Sequence, residues 1–113
     1  MGKITTHVLD TARGRPAAEV PVALAWKEGD SWRLLAEAKT DADGRIGTFA
    51  DLKVPLQAGI YRLQFQLQGY FKAQNTRSFY PEAQIIFNVE NPAEHFHVPL
   101  LLSGFGYSTY RGS

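Results

Sequence analysis

The sequence predicts an all-β domain, built as an antiparallel β-sandwich. Three observations favour it: seven or eight short segments alternate apolar and polar side chains, turn-forming residues separate them every 8–12 residues, and only one short segment suits a helix. The 113 residues are predicted to form a single domain over 1–113, since this length matches the commonest domain size. Such a chain buries about two thirds of its unfolded surface, which is enough for one core.

The elements follow from alternation and from turn residues. Strands are predicted where side chains alternate with period 2, over 3–10, 20–27, 32–39, 45–48, 60–67, 84–89, 95–102 and 105–113. Gly, Pro, Asp and Asn mark the loops between them, at 11–16, 28–31 and 40–44 among others. Residues 50–59 are predicted to be irregular, and 69–75 is the one plausible helix.

The closing pair of strands carries the most informative pattern. Alternate positions from Phe96 to Leu102 are apolar, so that face is predicted to be core. His95 and His97 project from the opposite face, about 6.6–7 Å apart along the strand. A turn is expected at Ser103-Gly104. The segment after it stays rich in Tyr, Ser, Thr and Arg up to residue 113, which invites a functional interpretation because terminal segments are usually dispensable.

Composition excludes several classes of function. The formal net charge is +1, so no bulk attraction to nucleic acid or to a membrane is expected. The absence of cysteine excludes disulfides, thiolate metal sites and cysteine nucleophiles. No apolar run approaches the roughly 18 residues that span a bilayer, and residues 1–5 show no signal region. A cytoplasmic protein is the simplest expectation; a periplasmic one is the alternative if a leader was removed.

The three histidines admit three interpretations. His7 lies on the first strand, on the face opposite the apolar stripe, as His95 and His97 do on theirs. Each is an ordinary surface histidine if the strands lie apart. If they share a sheet, the imidazoles form either a three-histidine metal site or a proton-transfer site.

Arg45 and the last four residues are the other candidates. Arg45 follows the tight Asp43-Gly44 turn; it is either a solvated loop arginine or a clamp for an anion or a carbonyl, since guanidinium offers five donors. The 110–113 segment is either a polar edge strand or part of a site. In the second case Tyr110 donates a hydrogen bond to a substrate, and Gly112 lets the backbone pass close to a ligand.

Two residues of the histidine strand suggest a partner. Pro99 cannot donate a ladder hydrogen bond, so it is expected at an edge, a bulge or an unpaired position. Leu101 is apolar on the face of His97. We therefore expect this sheet to pack against a second copy of the chain, leaving a cleft lined by His7, His97 and Tyr110.

These motifs resemble the transthyretin-like family, and within it the 5-hydroxyisourate hydrolases of purine breakdown. The similarity covers nearly the whole chain. The segments that carry it are Thr6-His-Val-Leu-Asp10 with 13–17, Thr40-Asp-Ala-Asp-Gly-Arg45, Tyr70-Phe-Lys72 with 78–81, 95–103, and Tyr107-Ser-Thr-Tyr-Arg-Gly-Ser113. The terminal tetrapeptide is the most specific of them, because transthyretin itself, the hormone carrier, lacks that ending and the histidines.

The resemblance implies a prealbumin-like sandwich of two four-stranded sheets and a homotetramer with active sites where two dimers meet. It implies hydrolysis of 5-hydroxyisourate to 2-oxo-4-hydroxy-4-carboxy-5-ureidoimidazoline in urate degradation, with no cofactor and no metal. It places His7, Arg45 and His97 as catalytic residues, and His7, Arg45, Tyr110 and Ser113 as substrate-binding residues. Which histidine is the general base stays open. The alternative is a non-catalytic tetramer that binds a small ligand.

Overall fold

The computed structural model describes residues 2–49 and 55–113, which form two packed β-sheets and one short helix. The strands are β1 Lys3–Asp10, β2 Arg15–Pro16, β3 Pro21–Glu28, β4 Ser31–Lys39, β5 Arg45–Ile46, β6 Gly59–Gln66, β7 Glu82–Val89, β8 His95–Ser103 and β9 Gly106–Thr109. The helix α1 is Gln68–Ala73. The predicted all-β sandwich with one short helix is confirmed. Within the irregular segment predicted at 50–59, residues 50–54 lie outside the described part of the chain.

The first sheet carries one strand more than expected. Its order is β2-β1-β8-β9, and β5 also pairs with β1, while the second sheet has the order β4-β3-β6-β7. The fifth strand arises because β2 and β5, each two residues long, pair with different stretches of β1. The 11–16 segment was predicted as a loop throughout, yet Arg15–Pro16 forms β2.

One strand pair is parallel. β1 and β8 run side by side in the same direction over eight residue pairs, from Lys3 opposite His95 to Asp10 opposite Leu102, whereas the other pairings are antiparallel. The ladder joins segments about ninety residues apart. Thr6 reinforces it, because its buried hydroxyl donates to the Val98 carbonyl at 2.6 Å.

The core lies between the two sheets, where the apolar alternation predicted it. All four alternate apolar positions of β8, from Phe96 to Leu102, are at most 6% exposed. They pack with inward side chains of β1, β3 and β6 in one continuous cluster. Burial on this scale contributes about 1.5–3 kcal/mol for each large side chain.

The last strand is shorter than predicted. The 105–113 segment was expected to be extended throughout, but β9 covers only Gly106–Thr109. Beyond this strand, a single β-bridge pairs Gly112 with His97. Pro99 lies in this gap, between the Leu100–Thr109 pair and that bridge. Because Pro99 has no N–H, the ladder is interrupted there, and the Thr109 hydroxyl donates to the Pro99 carbonyl instead, at 2.7 Å. Pro99 thus has no ladder partner on the β9 side, one of the three placements expected for it, while on its other side it stands opposite His7 of β1.

Thr40 joins the end of β4 to the loop before β3. Its hydroxyl is buried; it accepts from the Val20 N–H at 2.9 Å and donates to the Ala17 carbonyl at 2.7 Å. The next residues form the turn that leads into β5. Thr40 therefore holds in place the segment that presents Arg45.

No helix among the described residues is both long enough and apolar enough to cross a membrane.

Replacing Thr40 by valine tests this anchoring role. Thr40→Val keeps the side-chain shape but removes the hydroxyl, leaving a buried N–H and a buried carbonyl unpaired, so we expect a loss of about 1–3 kcal/mol in the free energy of unfolding. Urea unfolding followed by tryptophan fluorescence measures it. The control is Thr48→Val, at an exposed threonine, which should change stability by less than about 0.5 kcal/mol. Equal stability of the two variants would contradict the role.

Candidate active site

The outer face of the first sheet brings together residues from three strands. The parallel ladder sets Thr5 opposite His97 and His7 opposite Pro99. The short β5 sets Arg45 opposite His7 on the other side of β1. The strand of His7 and the strand of His95 and His97 therefore lie in the same sheet. This is the arrangement that the histidines need if they form one site.

Arg45 is presented by a turn with internal hydrogen bonds. The Asp41 carboxylate accepts from the N–H groups of Asp43 and Arg45, at 2.9 and 3.0 Å. The turn docks on β1 through the Val8 N–H, which donates to the Gly44 carbonyl at 2.7 Å. Gly44 has φ +74°, and a Cβ there would clash with the Val8 carbonyl oxygen, so only glycine fits. The hydrogen bonds and the glycine of the 40–44 turn thus fix the backbone position of Arg45, from which its guanidinium extends.

The C-terminal segment reaches the same site by a close backbone approach. The Gly112 N–H donates to the His97 carbonyl at 2.8 Å. A Cβ on Gly112 would lie 2.6 Å from His97 Cδ2, so a glycine is needed for the chain to pass over the ring. Arg111 supports this path, since its guanidinium donates to Glu94 Oε1 at 3.0 Å and lies 4.6 Å from the Phe96 ring centroid.

These elements form an open cleft of about 270 Å³. Of the predicted site residues, the structure brings Arg45, His97 and Ser113 into its lining. His7 stands on the same face but does not line the cleft within one protomer. Tyr110 is 57% exposed and lines a different cavity, of about 240 Å³, next to Phe96. The roles of His7 and Tyr110 stay predictions.

Two residues in the cleft were not singled out from the sequence. Lys3 and Thr5 line it together with His95, whose role had been left open. Thr5 Oγ1 lies 2.7 Å from His97 Nδ1 and 2.8 Å from His95 Nε2. The alternation of β1 already placed Thr5 on the face of His7, but its contact with both imidazoles depends on the register with β8, which alternation does not give.

The surroundings of His97 disfavour its protonated form. Burial, and then the positive charge of Arg45 and of the two other histidines, lower the pKa of His97 below its ordinary value of 6.5. Its Nδ1 is engaged by Thr5, and Nε2 has no hydrogen-bonding partner among residues 2–49 and 55–113. A neutral imidazole with one free nitrogen next to a guanidinium is suited to accepting a proton near neutral pH.

In the described ranges, no three His, Asp or Glu side chains are grouped so that they could hold a metal ion. The cleft offers imidazole nitrogens, a hydroxyl and cationic side chains, and its lining contains no carboxylate side chain.

A two-sheet sandwich with a histidine–arginine cleft on the outer face of one sheet defines a transthyretin-like protein. The chain belongs to the HIUase/Transthyretin family, whose model matches residues 4–112. It is 45% identical over 117 residues to the 5-hydroxyisourate hydrolase of Caulobacter vibrioides, covering both chains completely.

Solved structures agree with this assignment. The fold matches that of Klebsiella pneumoniae 5-hydroxyisourate hydrolase with a TM-score of 0.86 and 41% identity over all of both chains. It also matches sea bream transthyretin in complex with thyroxine, with a TM-score of 0.86 and 31% identity, over 96% of this chain and 93% of that one. The prealbumin-like fold is thus shared with a hydrolase and with a transthyretin. The fold alone does not distinguish their activities, so the distinction depends on the residues of the site.

Removing the charge of Arg45 should raise the pKa of His97. The guanidinium disfavours the imidazolium, so Arg45→Gln moves the titration of His97 to higher pH. The ring carbon and proton shifts, followed by NMR between pH 4 and 9 (about 2 units either side of the ordinary value), measure the change. Arg33→Gln, on the second sheet, removes the same charge far from the cleft and should leave His97 unchanged. Equal shifts in both variants would show that net charge, and not Arg45, acts on His97.

Proposed function

We propose that this protein is a 5-hydroxyisourate hydrolase, which opens the lactam of its substrate to give 2-oxo-4-hydroxy-4-carboxy-5-ureidoimidazoline in urate degradation. One observation carries the proposal: the His97 imidazole, whose Nδ1 is held by Thr5 and whose pKa is lowered by burial and by Arg45, shares a cleft with Arg45 and Ser113. The whole-length similarity to 5-hydroxyisourate hydrolases from two organisms supports it.

The chemistry requires a base for water, a positive group for the developing oxyanion and a proton for the leaving nitrogen. His97 Nε2 takes the proton from water, since its other nitrogen is held by Thr5. Arg45 polarises the carbonyl and holds the anionic substrate. Ser113 lies in the cleft and orients the substrate, and His7 and Tyr110 complete the site. No step needs a metal or a cofactor.

We further propose that the active particle is a homotetramer, because the site is incomplete in one protomer. His7 and Tyr110 do not line the cleft, and both sheets end in strands with an open edge, β7 and β9. Large apolar side chains on and around these edges are exposed, among them Ile86 at 57% and Phe105 at 68%. Open apolar edges invite pairing with another copy of the chain.

The alternative is a non-catalytic tetramer that binds a small ligand, as the sea bream transthyretin solved with thyroxine does. The cleft found here disfavours an apolar ligand. Its lining includes Lys3, Arg45 and two imidazoles, which favour an anionic ligand with hydrogen-bonding atoms.

Truncating His97, the proposed base, or His7, the other catalytic histidine of the proposal, should abolish most of the activity. His97→Ala and His7→Ala are each expected to lower kcat/KM by about 10²–10⁴, the range for loss of a general acid or base. Urate and urate oxidase generate the substrate, and the decay of its absorbance above the spontaneous rate reports hydrolysis. Asp30→Ala, an exposed polar truncation in the turn between β3 and β4, is the control and should behave as the unmodified protein. If the unmodified protein leaves the decay at its spontaneous rate, the ligand-binding alternative replaces the enzyme.

The assembly can be tested separately by sedimentation equilibrium. At micromolar concentration we expect a particle of four times the 12.6 kDa chain. Ile86→Lys, which puts a charge in the exposed apolar edge, should weaken the assembly and release smaller species. A 12.6 kDa monomer for the unmodified protein would refute the tetramer, and with it the shared cleft.

A further inference from the structure

One hydroxyl bridges two imidazoles at the base of the cleft. Thr5 Oγ1 lies 2.7 Å from His97 Nδ1 and 2.8 Å from His95 Nε2, and the two ring centroids are 6.3 Å apart. Thr5 is 5% exposed, so water does not compete freely for the hydroxyl. Both contacts are of normal hydrogen-bond length.

A hydroxyl has a single proton, which constrains both rings. If Thr5 donates to one imidazole nitrogen, it must accept an N–H from the other. The nitrogens that face Thr5 therefore carry opposite protonation when both rings are neutral. Either His97 has its proton on Nδ1 and leaves Nε2 free as a base, or His97 has its proton on Nε2 and acts as an acid. The two neutral states differ in the direction of the Thr5 O–H and in the tautomer of both rings.

The two rings differ in their surroundings. Burial, and then the charges of Arg45, His95 and His7, oppose the protonation of His97, and Gly112 lies against its Cδ2 edge. His95 is exposed to solvent, with Lys3 opposite it in the ladder and Arg111 paired with the Glu94 carboxylate nearby. The bridge therefore leads from the more buried ring to the more exposed one, where water can solvate an imidazolium.

We propose that Thr5 and His95 form a proton relay for His97, so that Thr5 is a positioning residue of the reaction and His95 is the temporary proton store. This inference rests on the proposed function, because it concerns the proton that hydrolysis takes from water.

One proton equivalent passes from water through His97 and Thr5 to His95 and returns, so the protons balance at every step. Water loses a proton to His97 Nε2 as its oxygen bonds to the substrate carbonyl carbon. The Nδ1 proton of His97 passes to Thr5 Oγ1, and the hydroxyl proton of Thr5 passes to His95 Nε2. His97 is then neutral with its proton on Nε2, and His95 is an imidazolium. When the ring carbon–nitrogen bond breaks, Nε2 gives its proton to the leaving nitrogen, and the relay runs back to its starting state.

The hydrogen-bond pattern around Thr5 can be tested by NMR without turnover. In ¹⁵N-labelled protein, at a pH where both rings are neutral, we expect one of His97 Nδ1 and His95 Nε2 to be protonated and the other not. Thr5→Ser keeps a hydroxyl and should keep this opposite pattern. Thr5→Val removes it, and the two tautomers should become independent. Equal protonation of the two nitrogens in the unmodified protein would overturn the relay.

The kinetic test uses the urate oxidase-coupled assay. We expect Thr5→Val and His95→Asn to lower kcat by at least about tenfold, with little change in KM, and by less than the loss of a general base. Added imidazole should restore part of the lost kcat in both variants, because it accepts the proton directly. Thr5→Ser should retain a larger share of kcat than Thr5→Val. A structural role for Thr5 predicts neither the rescue nor the serine–valine difference.

The outcomes separate the two proposals. Hydrolysis by the unmodified protein, combined with losses that imidazole does not restore, refutes the relay and leaves the function standing. Absence of hydrolysis refutes the function, and the nitrogen protonation pattern still decides whether the hydroxyl couples the rings. If Thr5→Val does not fold, His95→Asn decides the kinetic test, since His95 is exposed.

Discussion

The parallel ladder between β1 and β8 is the constraint on which both the core and the site depend. It turns Ile4, Val8 and the apolar positions of β8 inward, and Thr5, His7 and His97 outward, over eight consecutive pairs. A slip of one residue would bury an imidazole and expose the core, because strand side chains alternate with period 2. The buried inward face therefore fixes the hydrogen-bonding register of the outward face. Core stability and site geometry are set by the same set of pairs.

Two glycines let distant segments reach this ladder. Gly44 brings the turn before Arg45 against the Val8 carbonyl, and Gly112 brings the chain end against the His97 ring. At both positions a Cβ would meet an atom at a distance that real Cβ atoms essentially never show. The site is thus assembled by backbone contacts, and side chains such as the Asp41 carboxylate hold the approaching turn in its shape.

Local pattern predicted the parts of the structure that depend on neighbours in sequence. Alternation gave the strands, the buried face of β8 and the outward direction of its histidines, and the missing N–H of Pro99 gave the gap in the ladder. The parallel pairing and the bridge of Thr5 to two imidazoles depend on contacts across about ninety residues, and the fifth strand depends on the pairing of β2 and β5 with β1. Alternation does not predict which strands pair. The residues alone made Arg45 a candidate, the resemblance added Ser113 as a substrate-binding residue, and both line the same cleft as His97.

The charge of the cleft ties substrate binding to proton transfer. Burial, and then the charge of Arg45 among others, disfavour a proton on His97. Lys3 also lines the cleft, and the lining has no carboxylate side chain. A bound anion adds the missing negative charge and raises the pKa of His97 toward its ordinary value. In the proposed mechanism, the imidazole is then a stronger base when the substrate is in place. Part of the binding energy of the anion is used in the step that removes a proton from water, and an uncharged ligand of the same shape should bind without activating the base.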